Sequence, residues 1–135
     1  MNNSIFPLAY RWFLAKGLEN WQPWYFSDTD ATMKAPADFD KNRTFAKVFL
    51  EETGADFDVY LFARRQDMDD FAFFVVRNGV IEDRVVTIHL CFSKRLEFST
   101  PLLYSKMESQ TFTQWIREIV ILDVEDWICE EDMYD

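Results

Sequence analysis

The sequence predicts an α+β fold, in which an antiparallel sheet of three to six strands is covered by two N-terminal helices and one long C-terminal helix. Three observations carry this. The apolar runs Val59 to Ala63 and Phe71 to Val76 flank a charged connection, from Arg64 to Asp70, in the way two strands flank a tight loop. Asn78-Gly79 follows the second run, and this dipeptide is the strongest short-range hairpin signal. On either side of this region, apolar residues recur at helical spacing, before Gly54 and again after Thr111.

Taken in order, Ser4 is placed to cap a first helix, in which Phe6, Tyr10, Phe13 and Leu14 recur three and four residues apart until Gly17 stops it. Trp21 to Phe26 gathers four aromatic rings around Pro23, which suits an extended or turning stretch laid over a core edge. Ser27 to Lys41 turns to Asp, Thr, Ala and Pro and reads as a loop. Asp40 or Asn42 is then expected to cap a second helix, which runs to about Thr53, buries Phe45, Ala46, Phe49 and Leu50, and ends at Gly54.

Strands are expected over about Asp58 to Ala63, Asp70 to Val76 and Arg84 to Phe92, with Val80 to Asp83 lengthening the second connection. In the third, Val86, Ile88, Leu90 and Phe92 form an apolar face, which should meet the helices, and Val85, Thr87, His89 and Cys91 a more polar one. Lys94 to Gln110 is mostly irregular around Pro101, although Phe98 to Tyr104 suits an edge strand. The last helix starts at Thr111 with a stripe of Phe112, Trp115, Ile116, Ile119 and Val120. Asp123 falls in the middle of that stripe, so the helix must bend or end there, or run on past the edge of the core.

The charged connection is self-complementary, because Arg64 and Arg65 leave one strand just before Asp67, Asp69 and Asp70 enter the next, and guanidinium forks bind carboxylates bidentately. Phe62 to Asp70 followed by an apolar strand resembles the Ala-Arg-Arg-x-Asp-Asn-Asp-Asp signature of the SUKH superfamily, with a departure at Met68. That superfamily includes the fungal cell-wall assembly regulator and many bacterial immunity proteins. Phe6-Pro7 fits in order, Trp21 to Phe26 resembles the family's Glu-Pro-Trp-Tyr-Phe-Leu element, and Thr87 to Phe92 is similar to its Ile-His-Asp-Phe strand. Phe112 to Ile116 looks like the aromatic start of its final helix, whereas its Gly-Trp-Glu is here Arg95-Leu96-Glu97. The residues that match the motif are Trp24, Arg64, Arg65, Asp67, Asp69, Asp70 and His89. The resemblance implies an immunity protein that binds and neutralises a cognate toxin of a polymorphic or contact-dependent system, many such toxins being nucleases or deaminases. Its alternative is a regulatory or scaffold module of the fungal type.

A chain of 135 residues suits a single domain, 1–135, ending in an acidic segment, 123–135. A formal net charge of −10 argues against a sequence-independent nucleic-acid binder and against attraction to anionic membranes, since both roles need cations. It suits a basic protein partner, which a negative field steers. With aromatics at 18%, some rings have the chance to lie at such an interface. Cys91 and Cys129 show no C-x-x-C spacing and read as reduced thiols, and the start Met1-Asn2-Asn3-Ser4 lacks a signal-peptide pattern, so a cytoplasmic location is expected.

With one histidine, no glycine-rich phosphate loop and no metal-ligand pair at helical spacing, the sequence points to a non-enzymatic protein that takes no cofactor. The strongest enzymatic alternative joins Asp67, Asp69, Asp70 and His89 in a divalent-metal or acid-base site, which the neighbouring guanidiniums disfavour. Past the stripe, Asp123, Asp126 and Glu130 fall at i, i+3 and i+7 beside Trp127. Together with Asp67, Asp69 and Asp70 they are the expected partner-binding residues: the acids steer the approach and Trp127 is an apolar anchor.

Overall fold

Antiparallel pairing links β1 (Trp24–Phe26), β2 (Asp58–Arg65), β3 (Asp70–Arg77), β4 (Val80–His89) and β5 (Ser105–Gln110) into one five-stranded sheet, ordered as in the sequence. The computed structural model of the chain describes residues 5–18, 21–26, 39–65, 70–90 and 105–128, with the backbone alone for 39–44 and 105–109. The expected cap Ser4, the Ser27 to Asp38 part of the expected loop, the strand Phe98 to Tyr104, the Arg95-Leu96-Glu97 segment and both cysteines lie outside the described residues. Among the described residues, no helix is long and apolar enough to cross a membrane.

Both faces of the sheet are covered. Helix α2 (Phe39–Thr53) lays Phe45, Ala46 and Phe49 on a layer made of Val59, Leu61, Phe71, Phe73, Val75, Val86, Ile88 and Leu90. Helix α1 (Leu8–Ala15) and the C-terminal helix cover the other face, where Tyr10, Phe13, Phe112, Trp115 and Val120 meet Trp24, Phe26, Phe62, Ala63, Ala72, Phe74 and Val85. The Val86, Ile88, Leu90 face of β4 meets α2 as expected, and Val85, on the face expected to be more polar, is fully buried as well. Burial on both faces is also why β3 reads Phe-Ala-Phe-Phe-Val-Val with no polar alternation.

Local signals fix the ends. Lys16 caps α1, and Gly17, at φ 68°, lets the chain reverse, with the Leu18 N–H donating to the Phe13 carbonyl and the Gly17 N–H to that of Leu14. This is a Schellman closure. Helix α2 begins at Phe39, just ahead of the two expected caps. Asn78 (φ 54°) and Gly79 (φ 75°) make the two-residue turn between β3 and β4, and both angles are those of a type I′ hairpin.

Val80 to Asp83 therefore belong to β4 and do not lengthen the loop. Their surplus length is absorbed as a register shift, since Phe74 pairs Val85 while Val76 pairs Ile81. The bulged segment delivers the Asp83 carboxylate to the Phe112 N–H at 2.8 Å, which caps the C-terminal helix from the sheet. The segment before that helix, expected to be irregular, is the edge strand β5. Ser-Lys-Met-Glu-Ser-Gln has no apolar alternation to announce a strand, and its backbone pairing with β4 makes it one.

The C-terminal helix consists of α3 (Phe112–Trp115), a π segment (Ile116–Val120) and α4 (Ile121–Trp127). Thr111 opens it with a capping box: its hydroxyl accepts from the Gln114 N–H, and the Gln114 side chain accepts from the Thr111 N–H. Buried Trp115 and Val120 stand five residues apart, a spacing that the wider π turn keeps close to one face. The helix neither ends nor projects at Asp123: Val124, next in line, packs on the same core cluster.

Candidate functional site

The described motif residues gather at the end of the sheet where β2 stops and β3 starts. Trp24 pairs with Arg65 across β1 and β2, and Asp70 pairs with His89 across β3 and β4. Trp24, Arg65, Asp70 and His89 thus stand at the same end of four adjacent strands. By strand parity all four lie on the face that the C-terminal helix covers.

One irregularity decides which arginine faces which layer. Leu61 pairs Phe73 and Ala63 pairs Ala72, so Phe62 is an extra residue in β2. Its ring turns toward the aromatic layer under α1, stacking on Phe74 at 4.0 Å between centroids, and its carbonyl accepts the Tyr10 hydroxyl at 3.4 Å. Strict alternation from Val59 and Leu61 would send Arg65 to the α2 face; the inserted residue reverses the parity. Arg64 accordingly goes to the α2 face, its guanidinium 5.7 Å from the Phe45 ring centroid and 5.0 Å from that of Phe71. Arg65 goes to the C-terminal helix.

There it meets Asp123. Arg65 Nη1 lies 3.2 Å from Asp123 Oδ1, with side-chain exposures of 15% and 22%. The Trp24 indole Nε1–H donates to Asp123 Oδ2 at 2.8 Å, while the Trp24 ring packs edge-on against Trp115 at 5.1 Å. Each carboxylate oxygen has its own donor, one charged and one neutral, so the acid that interrupts an apolar stripe is neutralised where it enters the core edge. Asp123 therefore joins β1, β2 and α4, which accounts for its place in the stripe.

Asp70 and His89 form the second pair, His89 Nδ1 to Asp70 Oδ1 at 2.7 Å, with the imidazole more exposed than the acid. Asp67 and Asp69 lie outside the described residues, as does Glu130. Of the expected docking line, Asp126 is exposed, Trp127 half-buried, and Asp123 engaged as above. Among the described residues, no group of three or more His, Cys, Asp or Glu side chains is placed to hold a metal ion.

Two features escaped the sequence reading. The Asp123 clasp joins residues far apart in the chain, and the only local signal was the clash of a carboxylate with the helical stripe. The second is an apolar surface on α1, whose signal was the position of Leu8 and Trp12, four residues apart and off the Tyr10, Phe13, Leu14 stripe; both are exposed. Comparisons with protein-family models, with curated proteins and with solved structures found no match to this chain.

Proposed function

We propose that this chain is a SUKH-type immunity protein, a non-enzymatic binding module that neutralises a cognate protein toxin in the cytoplasm by stoichiometric association. The observation that carries the reading is the gathering of Trp24, Arg65, Asp70 and His89, dispersed over four strands, at one end of the sheet, where Asp123 clasps the first two. A motif scattered in sequence and assembled in space is what a shared structural framework requires. The partners of these groups also favour support over turnover: the Asp123 carboxylate holds an indole and a guanidinium, and the Asp70 carboxylate holds an imidazole.

The negative charge of the chain supplies long-range attraction for a basic toxin, with exposed Glu125 and Asp126 at the end of the C-terminal helix as steering groups and Trp127 beside them. Co-expression with a candidate toxin from the same genomic neighbourhood tests the reading. Survival should require about one copy of this protein per toxin, and the two should co-purify as a complex. Protection by trace amounts would point to catalysis, and binding without protection would favour a scaffold module instead.

A further inference from the structure

Between α1 and the first half of the C-terminal helix runs an open groove of about 380 Å³, whose walls are Ala9, Trp12, Phe13, Leu18, Trp21 and Phe112, with Ile116 and Arg117 among the residues opposite α1. The groove does not stand alone. Leu8 is 71% exposed and Trp12 57%, and with Lys16 they form an i, i+4, i+8 line along α1 that extends the apolar surface beyond the groove. Eight residues of helix span about 12 Å, so the surface is elongated and suits a chain segment better than a compact ligand.

Charge narrows the occupant. Arg117 lines the groove, and Lys16 Nζ stands 5.9 Å from the centroid of the Trp12 ring at the end of a short helix that carries no acidic residue. On a chain of net charge −10, the charged side chain that lines the groove is a cation, Arg117, and Lys16 adds a second beside Trp12. A second copy docking α1 against α1 would set these cations against each other, which costs free energy.

We propose that this groove receives an amphipathic segment of another protein, with apolar anchors that fill it and acidic side chains beside them that meet Lys16 and Arg117. No residue of the Trp24, Arg65, Asp123 clasp lines it. The proposal stands independently of the immunity reading, and its electrostatics are opposite to those of the Glu125, Asp126 end.

Two synthetic helical peptides test it with the full chain. Both carry Leu and Trp at i, i+3, i+4 and i+7; one is flanked by Glu and the other by Lys. Titration followed by calorimetry should show the Glu-flanked peptide binding one to one and about tenfold more tightly than its Lys-flanked counterpart, as expected when two exposed ion pairs replace two like-charge contacts. The margin should shrink in high salt. The double variant Lys16→Glu/Arg117→Glu should reverse the preference, and Trp12→Ala, at an exposed position, should weaken both peptides without unfolding the chain. Equal affinities, no binding by either peptide, or a preference that the double variant leaves unchanged would overturn the proposal. Self-association of the wild-type chain that Trp12→Ala abolishes would also overturn it, by assigning the face to a second copy.

Discussion

Replacing Asp123 with Ala removes the acceptor for two donors at once, and the cost follows from what each donor then meets. The Trp24 side chain is almost wholly buried, and its indole N–H would be left 2.8 Å from nothing that accepts; an orphaned buried donor costs about 1–3 kcal/mol. Arg65 is 15% exposed and loses an ion pair at 3.2 Å that water replaces in part, which adds about 1 kcal/mol. The sum, about 2–4 kcal/mol, is a large fraction of the roughly 5–15 kcal/mol that holds a domain folded. Asp123→Asn should cost less, because its amide oxygen still accepts from the indole. Trp24→Phe keeps the ring against Trp115 and removes the donor, so a cycle of Trp24→Phe and Asp123→Ala isolates the hydrogen bond, with an expected coupling of about 1–2 kcal/mol. Urea denaturation followed by far-ultraviolet circular dichroism is the appropriate assay, since tryptophan emission would change with the mutations themselves. An Asp123→Ala midpoint matching that of wild type, or additive single effects in the cycle, would refute the clasp.

Three further perturbations address other joints of the fold. Arg64→Ala should cost about 1 kcal/mol through the lost contacts with the Phe45 and Phe71 rings, and a urea midpoint equal to that of wild type would contradict those contacts. Gly79→Ala meets no atom within 4 Å but forces a side chain onto φ 75°, so thermal denaturation should show a loss of about 1–2 kcal/mol, and a neutral result would contradict the type I′ turn. Burial pushes the Tyr60 phenol from 10.0 up to about 12. Below the lower value both folded and unfolded chains keep the proton; between the two values the unfolded chain releases it first, so stability should fall as pH rises through that window. Tyr60→Phe should flatten this decline, and a Tyr60 ultraviolet titration that coincides with those of exposed tyrosines would exclude the shift.

What the sequence made legible was the part governed by local chemistry. Asn78-Gly79 specified its own turn, Gly17 and Gly54 closed their helices at φ 68°, and Thr111 with Gln114 formed the box that opens the last helix. Two-sided burial was harder to read, because a run such as Phe71 to Val76 looks the same whether one face is covered or both, and only the positions of α2 and α1 on opposite sides resolve it. Strand β5 could not be read at all from side chains, since its order comes from backbone pairing with β4. Juxtaposition of Arg64 and Arg65 with the following acids suggested that both arginines serve the loop. Asp67 and Asp69 lie outside the described residues; what the pattern did not announce is that Phe62, one extra residue in β2, sends consecutive arginines to opposite layers, Arg64 to the rings of α2 and β3 and Arg65 to the C-terminal helix. A bulge leaves no signature in hydrophobic pattern when the residues on both sides of it are buried, and Leu61, Phe62 and Ala63 all are. The one place where the pattern protested was Asp123. A carboxylate in an apolar stripe is an inconsistency between local and global preference, and here such an inconsistency marks the residue that ties β1, β2 and the last helix together.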